Sequence, residues 1–206
     1  MKKTLLIFLM FVLPALAWSI ENTREKQTTI LFIGDSLTEG YGVAQENGYV
    51  SLIESELKEK GKSIKILNGS VSGSTTSSGL KRLKWFLKAK PDILFLELGA
   101  NDGLRGVKLD VSRKNLDDII SLALKNKMRV LLAGMMLPPN YGPEYTKNFK
   151  NMFIELTKKH NINMIPFILE GVAGQKDLNL ADGIHPNEKG HKILKSTVIK
   201  YLEPLL

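Results

Sequence analysis

The chain has 206 residues, 43% hydrophobic and 24% charged, with 17 Gly, 8 Pro and no Cys. That length suits one domain, and the composition excludes collagen-like, coiled-coil and wholly disordered chains. Without cysteine there are no disulfide frameworks, thiolate nucleophiles, iron–sulfur clusters or Cys-ligated zinc, and Ser and Thr remain as hydroxyl nucleophiles.

Residues 1–17 open on Lys2 and Lys3, run through an apolar stretch from Leu5 and close on the small-x-small string Ala15-Leu16-Ala17. This is the pattern of a secretory signal peptide, with cleavage expected after Ala17. As a helix the apolar stretch would rise only about 20 Å, short of a hydrocarbon core of about 30 Å. Pro14 would also break it near its end. An exported product, periplasmic or secreted, with no stable membrane insertion after cleavage is the expectation. Residues 18–27 read as a disordered lead-in and 28–206 as one domain. The formal charge of +8 falls to +6 once the two leader lysines are removed. Lysines such as Lys58, Lys60, Lys62, Lys147 and Lys150 lack interleaved aromatics, so no nucleic-acid partner is expected.

Five apolar or β-branched runs, 28–35, 64–67, 93–98, 130–135 and 164–168, predict strands. Helical spacing predicts helices near 46–60, 77–88, 112–126, 143–160 and 187–203; in the first, Tyr49, Leu52, Ile53 and Leu57 share one face. Alternation of the two predicts an α/β protein, a three-layer α/β/α arrangement around a five-stranded parallel sheet. Ligands of such sheets bind outside the carboxyl ends of the strands. Small and polar groups follow three of those ends, at Gly34-Asp35-Ser36, Asn68-Gly69-Ser70 and Gly99-Ala100-Asn101-Asp102, and these loops should converge.

Asp182 stands three residues before His185 in a loop bracketed by Gly183 and Pro186. A carboxylate there can hold Nδ1–H of the imidazole and leave Nε2 as a general base. Ser36, at the end of the first strand, is the best candidate nucleophile. The oxyanion donors this chemistry needs are available as the Ser36 N–H, the Gly73 N–H and the Asn101 amide. Asp35 and Asp102 are expected to brace loops. His160 and His191 are read as structural, and no ligand set for a metal is present, so neither metal nor cofactor is expected. Asn68-Gly69-Ser70 fits a glycosylation acceptor, but its place at a buried strand end makes the match accidental.

Gly34-Asp35-Ser36-Leu37, Gly73, Gly99-Ala100-Asn101-Asp102 and Asp182-Gly183-Ile184-His185-Pro186 resemble, in order, the four signature blocks of the GDSL or SGNH hydrolases. LELGANDGLRG at 96–106 and LPPNYG at 137–142 resemble the bacterial periplasmic group of multifunctional acyl-CoA thioesterases, lysophospholipases and arylesterases. The resemblance implies a flavodoxin-like fold and a metal-free mechanism on small-molecule or lipid acyl esters and thioesters. It assigns Ser36, Asp182 and His185 as the triad and Ser36, Gly73 and Asn101 as the oxyanion hole. Leu137, Pro138 and Tyr141 follow the fourth strand, where they could wall an acyl groove. A monomer is the favoured state. Two alternatives stand beside this reading: a carbohydrate O-deacetylase with the same triad, and a non-catalytic envelope binding module.

Overall fold

A computed structural model describes residues 27–206, and within it every predicted strand forms and pairs in parallel. The strands are β1 (Thr28–Gly34), β2 (Ile64–Asn68), β3 (Ile93–Glu97), β4 (Arg129–Ala133) and β5 (Asn163–Ile165), in the spatial order β2-β1-β3-β4-β5. The helices are α1 (Ser36–Glu39), α2 (Tyr49–Glu59), α3 (Thr76–Phe86), α4 (Ala100–Leu104), α5 (Leu109–Lys125), α6 (Pro143–His160) and α7 (Glu188–Leu202). The signal-peptide reading and all of the lead-in but Gln27 lie outside the described residues. Gln27 donates from Nε2 to the Ile64 carbonyl at 3.2 Å, beside the first pairing of β1 with β2.

The central strands are continuously apolar because helices cover both faces. Ile30, Leu31, Phe32 and Ile33 of β1 and Ile93, Leu94, Phe95 and Leu96 of β3 are wholly buried. Right-handed crossovers fix the layers: the chain moves one way from β1 to β2 and the other way thereafter, so α2 falls on one face and α3, α5 and α6 on the opposite one. Accordingly α7 packs on α2, and α5 packs between α3 and α6. Each helix turns its apolar stripe inward, as with Leu116, Ile119, Ile120 and Ala123 of α5, and each fully buried large side chain contributes about 1.5–3 kcal/mol.

The boundaries differ from the sequence expectation where local chemistry intervenes. The helix expected over 46–60 divides at Gly48, with a short 3-10 turn over Gln45–Asn47 before α2. Helix α5 begins earlier than expected, at Leu109. Strand β5 ends at Ile165 because Pro166 has no N–H to offer a ladder. Two short helices escaped the periodicity, α1 and α4, and both open directly from strand ends. Among the described residues no helix is long and apolar enough to cross a membrane.

Sheet order reverses at β1, so the chain leaves β1 and β3 toward opposite faces and opens a crevice between them at the carboxyl edge. Ser36 follows β1 and Asn101 follows β3, placing both on that crevice.

Candidate active site

The turn carrying Ser36 is held from its own first residues. Asp35 caps α1, its Oδ1 accepting the Leu37 N–H at 3.0 Å, and Gly40 closes the helix in the left-handed region at φ 90°. Ser36 is therefore the first residue of a one-turn helix, and its N–H is not spent on any backbone carbonyl among the described residues. The same is true of the Gly73 N–H, in a turn where φ is 73° and a side chain would be strained.

His185 arrives from the far end of the chain on a small closed loop. Asn179 and Pro186 form an isolated antiparallel bridge, and the Leu180 N–H donates to the His185 carbonyl at 2.7 Å. Beyond the bridge Asn187 caps α7, accepting from the Lys189 and Gly190 N–H groups. Inside the loop Asp182 Oδ1 accepts the N–H groups of Ile184 and His185, both at 3.0 Å, while its Oδ2 lies 2.7 Å from His185 Nδ1. The His185 hydrogen bond, followed by that from Ile184, lowers the Asp182 carboxyl to about 2. It is ionised at any ordinary pH, although 39% of its side chain is exposed. His185 Nε2 stands 2.9 Å from Ser36 Oγ. Tyr41 lays its ring 4.6 Å from the imidazole.

Asn101, in the first turn of α4, donates from Nδ2 to Asp35 Oδ2 at 3.0 Å, which leaves its second amide hydrogen free. Arg105 Nη2 donates to Asn101 Oδ1 at 3.3 Å, and the same guanidinium lies 3.6 Å from where a Cβ on Gly73 would stand. Gly73 and Asn101 are thus neighbours across the crevice. Asp102 braces the other side, accepting from the Thr76 N–H at 2.8 Å and from the hydroxyls of Thr76 and Ser112 at 2.6 and 2.9 Å.

The segment after β4 lies against the same loop. Leu137 packs where a Cβ on Gly103 would collide with it, and Tyr141 Oη donates to the Leu104 carbonyl at 3.2 Å. Pro138 begins the 3-10 turn Pro139–Tyr141 that brings Tyr141 there. Asn68 is exposed rather than buried, but its amide is engaged, donating to the Thr38 carbonyl and accepting the Ser70 N–H.

Sequence reasoning missed the residues beneath the turn. Glu97, the last residue of β3, is 1% exposed; its Oε2 accepts the Thr38 hydroxyl at 2.7 Å and the Asp35 N–H at 3.2 Å. Thr38 Oγ1 also lies 2.8 Å from the hydroxyl of the fully buried Tyr49. Burial, and then the charge of Asp35, pushes the Glu97 carboxyl well above the usual carboxylate range. Burial likewise raises Asp35, against hydrogen bonds from Leu37, Glu97 and Asn101. A charged residue inside the otherwise apolar run ILFLEL was the available signal. Arg82 was missed as well; it donates to the Gly34 carbonyl at 3.2 Å and to Ser74 Oγ at 2.9 Å, tying α3 to the end of β1.

The arrangement, a five-stranded parallel sheet between helices with these side chains on its carboxyl edge, is the architecture of the SGNH hydrolases. The structure superposes on the crystal structure of TesA with a TM-score of 0.84 at 37% identity, covering 87% of this chain and 100% of that one. In sequence, the chain is 37% identical to the esterase TesA of Pseudomonas aeruginosa (86% of this chain, 89% of the relative). It is 36% identical to an arylesterase of Vibrio mimicus (84% and 87%). It is 32% identical to thioesterase 1/protease 1/lysophospholipase L1 of Escherichia coli (86% and 85%). Residues 32–193 match the GDSL-like lipase/acylhydrolase family, and the chain belongs to it as an enzyme of the GDSL esterase type.

Proposed function

We propose that the protein is an exported serine hydrolase of acyl esters and thioesters, with residues 28–206 as its single catalytic domain and residues 1–17 as its export signal. The observation that carries the chemistry is the unbroken chain from Ser36 Oγ through His185 to Asp182, with gaps of 2.9 and 2.7 Å. In this reading His185 Nε2 takes the Ser36 proton as Oγ attacks the substrate carbonyl, and ionised Asp182 stabilises the imidazolium through Nδ1. The Ser36 and Gly73 N–H groups and the free Asn101 amide hydrogen receive the oxyanion, each such donor being worth about 2.7–4 kcal/mol in comparable sites. His185 then returns the proton to the departing alkoxide or thiolate. Water, deprotonated by the same nitrogen, releases the acid from Ser36. No step requires a metal or cofactor.

An acyl ester or thioester substrate is supported by the names of the relatives and by the wall that Leu137, Pro138 and Tyr141 would give a groove beside α4. The decisive experiment is Ser36→Ala. Hydrolysis of p-nitrophenyl esters and of medium-chain acyl-CoA should fall by at least about a thousandfold. A fluorophosphonate should label the wild type and not the variant. Undiminished turnover by Ser36→Ala would sink the assignment.

A further inference from the structure

The geometry points to Glu97 as a positioning residue that works as a neutral acid: its carboxyl proton is held toward Asp35, and through Asp35 it fixes both the Ser36 turn and the Asn101 amide. This rests on the reading of Ser36 and Asn101 given above and adds a residue to it.

Three observations lead there. Asp35 and Glu97 are each 1% exposed, the Asp35 N–H donates to Glu97 Oε2 at 3.2 Å, and among the described residues neither forms a salt bridge with a cation. Two carboxylates in contact in a dry site do not both ionise, so one keeps a proton. The donors decide which. Both Asp35 oxygens receive N–H groups, from Leu37 at 3.0 Å and Asn101 at 3.0 Å, as suits the charged form. Glu97 receives its two donors, the Thr38 hydroxyl and the Asp35 N–H, on the single oxygen Oε2. Its other oxygen is left to carry the proton and donate it to Asp35. Tyr49 lies behind Thr38, with His191 stacked on its ring, while Arg82 holds the Gly34 carbonyl and His185 stands on the solvent side. Among the described residues none of these groups forms an ion pair with Asp35 or Glu97 that would balance a second anion.

The backbone is cut to fit this pair. A Cβ on Gly34 would stand 2.7 Å from Glu97 Oε2 and would collide with Thr38 as well, so glycine is what lets the carboxyl reach the turn. Asp35 then does two jobs at once, capping the helix that begins with Ser36 and orienting the amide that faces the oxyanion. An ionised Glu97 would push Asp35 away from both.

The test compares wild type, Glu97→Gln and Glu97→Leu. Gln keeps a donor for Asp35 and an acceptor for Thr38 but cannot ionise; Leu keeps neither. Leu should lower kcat for a p-nitrophenyl ester by at least about tenfold with KM within about twofold, and Gln should restore kcat to within about threefold of wild type. In infrared spectra at pH 8 the wild type should show the carbonyl stretch of a buried protonated carboxyl group that Glu97→Gln lacks. If Gln is as impaired as Leu, or if that band does not disappear with Gln, the proposal is overturned. Should the Leu variant fail to fold, the spectrum and the Gln variant still decide. A failure of the Ser36 reading would look different: wild type and Ser36→Ala would turn over alike, whereas the infrared band does not depend on activity.

Discussion

The Ser36 turn separates two polar assemblies built on opposite plans. Above it, His185 and Asp182 sit on a surface loop, and the Asp182 side chain is 39% exposed. Beneath it, Asp35, Glu97, Thr38 and Tyr49 form a connected set in which no residue is more than 1% exposed. Water screens the Asp182 carboxylate, so its contact with His185 contributes little to holding the fold. The lower groups have lost water and must satisfy one another, since an orphaned buried polar group costs about 1–3 kcal/mol. Separating the two keeps the exposed pair on the loop from drawing on the buried groups that tie β1 to β3.

If that division is right, activity and stability come apart above the turn and move together below it. The largest effect should be Asp182→Asn, which leaves His185 in the wrong tautomer and should lower kcat by roughly a hundred- to ten-thousandfold. The melting temperature should hardly change, and a large drop measured by circular dichroism would break the comparison.

Below the turn, His191 stacks on Tyr49 and accepts its N–H on Nδ1 at 3.3 Å, while its Nε2 has no partner among the described residues. Burial lowers it from 6.5 to about 4. A histidine lowered on folding resists protonation only in the folded state. Stability is therefore unaffected above about pH 6.5 and declines as pH falls toward 4, reaching a loss of about 3 kcal/mol. Urea unfolding across that window should show the slope in the wild type, and His191→Gln should flatten it. The smallest of the three effects is expected for Gly34→Ala, which drives a methyl group into Thr38 and Glu97. It should cost about 1–3 kcal/mol and lower kcat in the same variant. A Gly34→Ala enzyme of wild-type stability and rate would show that the lower assembly does not govern the turn.

Much of this was legible in the chain itself, for reasons that vary by element. The strands could be read because parallel strands buried on both faces are written as unbroken apolar runs, such as Ile30–Ile33 and Ile93–Leu96. Ser36 and Asn101 were expected on one edge because small polar groups cluster where those runs stop, and the contact of Asp182 with His185 because they stand three residues apart in a turn bracketed by Gly183 and Pro186. Helix α4 could not: over Ala100–Leu104 there is barely one turn, too short for a periodic stripe, and it starts from Gly99 at φ 123°, a geometry that no residue pattern announces. Glu97 was visible as a letter but not as a role. Its meaning depends on the Asp35 carboxyl that the pairing of Gly34 with Glu97 brings beside it. Such a neighbour is a product of register, across a separation of 62 residues.

The closed loop from Asn179 to Asn187 has a mechanical corollary. Asn179 Nδ2 donates to the Val172 and Gln175 carbonyls at 2.8 Å, and Asn187 Nδ2 donates to those of Asp177 and Asn179, so the segment is sewn to the turns over 172–177 and to itself. Carboxylate and imidazole are consequently carried together on one closed and multiply tied loop. The placement of the imidazole beside Ser36 Oγ is therefore set by Asn179 and Asn187, two amides that touch neither the serine nor the imidazole side chain.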